Sequence, residues 1–109
     1  MAHLWIAQTT VTHASDAQAL ARSAVEQNLA ACVQIEPEIA SVFRWEGAIE
    51  EDKEVRLTFK TTAERLAALK AMIHDEHPYD TPEWIAWPAG DVSAAYLSWA
   101  EEQVAESDD

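Results

Sequence analysis

The chain has 109 residues, 49% hydrophobic and 25% charged, the size and composition of one globular domain over 1–109; a collagen-like, low-complexity or wholly disordered chain is excluded. Seven basic against twenty acidic residues give a net charge of −13, which disfavours nucleic acid and anionic membranes as partners and suits cations, although a merely solvated acidic surface has the same composition. One cysteine, Cys32, excludes an intrachain disulfide or a Cys-x-x-Cys zinc knuckle, no stretch is apolar for long enough to span a membrane, and the N-terminal residues lack the basic-then-apolar pattern of a leader, so a cytoplasmic chain is expected.

Leu4 to Val11 is short, partly β-branched and bounded by polar residues, which predicts a first strand. Ser15-Asp16-Ala17-Gln18 fits a capping box, so a helix is expected from Ser15, with Ala17, Leu20, Ala21, Ala24 and Val25 as a narrow face and Asn28 as the left-handed residue that ends it. The apolar run Leu29 to Val33, alternating on to Ile35, predicts a buried strand that bends or bulges near Pro37 and resumes from Ile39 to Trp45. Glu46-Gly47 is the turn of a hairpin that pairs Ser41 to Trp45 with the following segment.

In Glu54 to Thr61, Val55, Leu57 and Phe59 face one way and Arg56, Thr58 and Lys60 the other, so one face of this strand is expected to be wet or covered by another subunit. Thr61-Thr62-Ala63-Glu64 fits a second capping box, opening a helix with a stripe of Leu66, Leu69, Met72 and Ile73 that Pro78 stops. Pro82 to Trp87 reads as a fourth strand closed by Pro88 and Gly90. Asp91 or Ser93 caps a last helix with Tyr96, Trp99, Ala100 and Val104 on one face, before an acidic terminus expected to be solvated. The order β-α-β-β-α-β with a final helix predicts a ferredoxin-like α+β fold, both main helices lying on one sheet face.

A catalytic constellation is hard to assemble. Cys32 lies in an apolar run that favours a core role, and the loop after the first strand, Thr9 to His13, lacks the Arg and Gly of an anion cradle. With only Gly47 and Gly90, no nucleotide-binding loop exists, and an enzyme is not expected. His3 and His13 read as surface residues. His74 and His77, three apart at a helix end, form the one metal-like cluster, with Asp75, Glu76 and Asp80 as oxygen donors; the competing reading has His74 in solvent and His77 on the last helix carbonyls. Five tryptophans exceed what so small a core accommodates, which favours a homo-oligomer.

Leu29-Ala30-Ala31-Cys32-Val33, Ser41-Val42-Phe43-Arg44-Trp45-Glu46-Gly47 with Ile49-Glu50-Glu51, and His77-Pro78-Tyr79-Asp80-Thr81-Pro82-Glu83 resemble, in order and spacing, the motifs of the CutA divalent-cation-tolerance family. Phe59-Lys60-Thr61, Ile85-Ala86-Trp87-Pro88 and Tyr96-Leu97-Ser98-Trp99 extend the resemblance over nearly the whole chain. Each motif alone is weak, and their collinearity is what carries the resemblance.

The resemblance implies a homotrimer built like the PII signalling proteins and association with divalent ions such as copper, with His77 as the ligand that its motif supplies; Glu76 or a neighbouring carboxylate is expected to complete the site. Members with a copper site can place a cysteine where this chain has Thr9 and a second histidine where it has Glu76, which leaves a harder donor set here. The alternative is a PII-like scaffold whose intersubunit clefts take a small molecule or a protein.

Overall fold

A computed structural model describes residues 3–106. Its elements run β1 (Leu4–Val11), α1 (Ala14–Glu26), β2 (Cys32–Trp45), β3 (Ala48–Thr62), α2 (Ala63–Glu76), β4 (Ile85–Pro88) and α3 (Ala94–Gln103). The strands form one sheet in the order β2-β3-β1-β4, every neighbouring pair antiparallel. β1 and β2 are therefore parallel with β3 inserted between them, the split βαβ arrangement of a ferredoxin-like α+β fold. The acidic terminus expected to be solvated lies, from residue 107 on, outside the described residues. Among the described residues no helix is long and apolar enough to cross a membrane.

Alternation along the central strands builds the core. Ala7 and Val11 of β1 lie opposite Phe59 and Val55 of β3, and these side chains, with Leu57, meet Ala17, Leu20 and Ala24 of α1 and Leu69, Met72 and Ile73 of α2. Both main helices thus cover one sheet face. The small residues of α1 allow close approach to the sheet, while the bulkier stripe of α2 fills the rest, with Leu66 partly buried against the cluster. A second, smaller cluster of Leu4, Ala31, Ala100 and Val104 seats α3, and Arg65 of α2 secures its end by donating from Nε to the Val104 carbonyl at 2.7 Å.

The ends of the helices depart from the sequence expectation in an instructive way. α1 starts one residue before Ser15: the His13 carbonyl receives the Asp16 and Ala17 amides, and no side chain caps the N-terminus. Ser15 falls inside the first turn, and the capping box does not form. Thr62, not Thr61, precedes α2, because Thr61 is fully buried and donates its hydroxyl to the Leu29 carbonyl at 2.7 Å. A long-range buried carbonyl outcompeted the local amide for that hydroxyl. Ser93 caps α3 as expected, accepting from the Tyr96 amide at 3.2 Å, and Asn28 takes the left-handed conformation (φ 59°) that ends α1.

The second strand also differs. Leu29 to Ala31 are buried but precede β2, and Cys32 opens the strand half-buried instead of sitting in its middle. β2 is an edge strand with a single neighbour, so the expected buried strand is in fact largely open. The register shift between Glu36 and Ile39 places the bulge at Pro37, where the missing amide would interrupt the ladder. Beyond it, Ile39–Trp45 and Ala48–Glu54 form a hairpin closed by Glu46 (φ 50°) and Gly47 (φ 82°), the two positive φ values of a type I′ turn. Val25, assigned to the core face of α1, is 45% exposed because that helix turns its margin away from the sheet.

These contacts predict how helix-end variants divide. Ser93→Ala is expected to lower unfolding stability by about 1 kcal/mol, whereas Ser15→Ala stays within about 0.5 kcal/mol of wild type because its hydroxyl caps nothing. Urea denaturation of the two variants reads the difference, and equal losses would restore the capping box.

Candidate functional site

The segment joining α2 to β4 folds over the carboxyl end of β1, and a set of long-range hydrogen bonds seats it there. The Thr9 hydroxyl donates to the Glu83 carbonyl at 2.6 Å. His77 turns inward and is 8% exposed, its Nε2 lying 2.8 Å from the Thr10 carbonyl, while its Nδ1 receives the Tyr79 amide at 3.0 Å. An amide only donates and a carbonyl only accepts, so the ring is neutral, with its proton on Nε2. The Tyr79 ring stands edge-on to it, centroids 4.7 Å apart.

Tyr79 carries the network to the hairpin. Its hydroxyl donates to the Glu54 carboxylate at 3.1 Å and lies 2.6 Å from the Thr12 hydroxyl, which must therefore be the donor in that second bond. Partial burial holds the phenol above the ordinary tyrosine range, opposed by the Thr12 bond. Glu83 is likewise pushed up, first by its withdrawal from water and then by the Glu54 charge, with Arg56 pulling the other way.

Between this loop and the hairpin lies a cleft of about 430 Å³. Glu50, Asp52 and Glu54 alternate along β3, so they share one strand face, and Asp80 approaches from the loop. Phe43, Trp45 and Tyr79 supply aromatic walls. Phe43 is the register partner of Glu50, which explains why ring and carboxylate project to the same side. Four acidic side chains and three π faces make the cleft attractive to cations.

The metal ligands expected from the sequence are not brought together. Both ring nitrogens of His77 are engaged, so neither offers a lone pair to an ion. The exposed Glu76 points instead to α1, where it accepts from the Ser23 hydroxyl at 3.4 Å, and His74 lies on the Lys70 carbonyl one turn back. Thr9, at the position where a thiolate would stand, is fully buried and bonded. Among the described residues no group of three or more His, Cys, Asp and Glu side chains is placed to hold a metal ion. A resident metal on His77 and Glu76 therefore does not fit this chain's geometry. The other sequence reading, His77 on the last carbonyls of its own helix, is also replaced: the ring reaches a carbonyl 67 residues away, and His74 makes the local bond instead.

Sequence reading missed Thr10, Thr12, Glu54 and the Tyr79 hydroxyl as members of this network. No local spacing signals them, because the partners are joined only when β1, β3 and the loop meet. The one sequence signal was the tyrosine two residues after the histidine, which is the spacing that lets its amide reach Nδ1.

Residues 5–103 match the profile of the CutA1 divalent ion tolerance protein family. The divalent-cation tolerance protein CutA of Thermus thermophilus is 40% identical over 93 residues, covering 85% of this chain and 90% of that protein. Mouse protein CutA is 43% identical over 91 residues, 84% of this chain but only 51% of the mouse protein, so the chain spans about half the length of that relative. Among solved structures, CutA from Synechococcus elongatus superposes with a TM-score of 0.93 at 41% identity, covering 96% of this chain and 93% of that one.

Burial is the main force holding the His77 imidazole below the ordinary histidine range, the Thr10 carbonyl pulling against it. A ring that resists protonation when folded but accepts it when unfolded stabilises the fold fully above about pH 6.5 and progressively less as pH falls below it. Urea unfolding at pH 7.5 and 5.0 is expected to show a larger acid loss in wild type than in His77→Gln; equal losses would remove His77 as the source.

Proposed function

The chain belongs to the CutA1 divalent ion tolerance family, and from that premise we propose that it works in tolerance of divalent metal ions, copper among them, as a cytoplasmic homotrimer that binds and does not catalyse. Cations are drawn to the acidic cleft of Glu50, Asp52, Glu54 and Asp80, and the assembly covers the apolar surface that the isolated chain leaves bare. The family match carries this reading. Supporting it, Val42, Phe43, Trp45 and Ile49 on the hairpin and Ile85, Trp87 and Trp99 on the body are all exposed, more large apolar surface than a soluble monomer commonly presents. The net charge of −13 favours cations over nucleic acid or anionic lipid. Of the three hydroxyls that line the cleft, Thr12, Tyr79 and Thr81, the first two are engaged, Thr12 with Tyr79 and Tyr79 with Glu54, which favours binding over turnover.

A second reading, a PII-like scaffold whose cleft takes a small molecule, draws on the aromatic walls, which are more extensive than a hydrated metal ion requires.

Light scattering is expected to give about three times the chain mass of 12.1 kDa, with Trp45→Asp shifting the protein toward monomer. Calorimetric titration with Cu²⁺ is expected to show binding that weakens with added salt and falls roughly tenfold, about 1.4 kcal/mol, in the double variant Asp52→Asn with Glu54→Gln. Binding unchanged in that variant would move the cation elsewhere, and a monomeric wild type would end the trimer proposal.

A further inference from the structure

We infer that His77 is a positioning residue and not a metal ligand: as the Nε2–H tautomer it pins the end of β1 to the loop after α2 and so holds the Tyr79 hydroxyl on Glu54 at the rim of the acidic cleft. The inference does not depend on the cation reading above. It rests on bonds that leave the ring no vacant lone pair.

Three features carry it. The ring is enclosed, bonded at both nitrogens to backbone groups of two different segments, and packed edge-on against the ring of Tyr79. A metal on Nδ1 would have to displace the Tyr79 amide and leave that donor without its partner. A metal on Nε2 would have to replace its proton and strand the Thr10 carbonyl. The donors adjacent in sequence also diverge, Glu76 toward Ser23 of α1 and His74 toward the Lys70 carbonyl, so neither of them turns to the ring.

What the pin positions is Tyr79. Its amide is held by Nδ1 and its hydroxyl by Thr12 and Glu54, so the residue is clamped at both ends between β1 and the hairpin base. Without the ring, only the hydroxyl end remains, and Tyr79 and the adjacent Asp80 lose their fixed distance to Glu54. His77 thereby acts on the cleft through its neighbour.

The test uses the full chain labelled with ¹⁵N-histidine. The metal-free spectrum at pH 7.5 is expected to show His77 with an unprotonated Nδ1 and a protonated, slowly exchanging Nε2, neither moving when Zn²⁺ is added, whereas solvent-facing histidines are free to respond. Tyr79 is then followed by ultraviolet titration in a Tyr96→Phe background, the chain having only two tyrosines. In wild type the phenol is expected to titrate above the ordinary tyrosine range, in His77→Ala to drop toward it, and in His77→Asn to recover in part, since the asparagine carbonyl can accept the Tyr79 amide in place of Nδ1.

A proton on Nδ1, a Zn²⁺-dependent displacement of either His77 nitrogen, or an unchanged Tyr79 titration in a folded His77→Ala protein would overturn the inference. Should the alanine variant fail to fold, the wild-type spectrum alone decides it. If no divalent ion binds wild type at all, the cation reading falls while the metal-free spectrum still judges the pin.

Discussion

The length of the β2–β3 ladder relative to the helices that cover it governs the rest of this molecule. A helix of 13 or 14 residues, such as α1 or α2, is about 20 Å long, whereas a strand of 15 residues, such as β3, reaches about 50 Å. Two such helices cannot roof the whole strand. Half of β3 packs Val55, Leu57 and Phe59 into the core, and the other half runs out past the helix layer as a hairpin with no roof. The longest dimension of the chain, 47 Å, and a radius of gyration of 14.8 Å, against about 13 Å for a compact chain of this size, both record that projection. The exposure of Val42, Phe43, Trp45 and Ile49 is the chemical consequence.

The same geometry locates the cleft. The base of the hairpin passes the carboxyl end of β1, and the loop after α2 must cross that end to deliver β4 to the far edge of the sheet. Loop, strand end and hairpin base therefore converge. Thr9, Thr10 and Thr12 meet them with two hydroxyls and a carbonyl, and the loop answers with the Glu83 carbonyl, the His77 ring and the Tyr79 hydroxyl. Acidic residues spaced by two on β3 face this junction, which concentrates negative charge where the loop is most tightly held. On the exposed surface Arg56 donates two bonds to Glu36, at 2.9 and 3.1 Å, and this fork holds the Glu36 carboxyl below its usual range.

Local rules worked where nothing distant competed for the same atoms. Asn28 took its left-handed turn, Ser93 capped its helix and Pro37 marked its bulge, each decided within a few residues of chain. Apart from Ser15, whose box was lost because α1 begins one residue before it, they failed where a side chain found a partner far along the sequence. Thr61 fitted a capping box, but its hydroxyl was needed by a buried carbonyl of Leu29; His77 fitted a metal cluster, but its ring was needed by Thr10 and Tyr79. In both cases the buried, otherwise unpaired backbone group imposes the larger penalty, and the local motif yields.

The sequence by itself determined the element order, the ferredoxin-like sheet that follows from it, the alternation that builds the core, and the family, because all of these depend on residue type and spacing along the chain. Only the tertiary structure decided that β2 is an open edge, that His77 and Glu76 point apart, and that Tyr79 links the loop to Glu54. Those facts depend on which strand lies beside which and on which buried carbonyl faces which donor, and no interval along the chain encodes either.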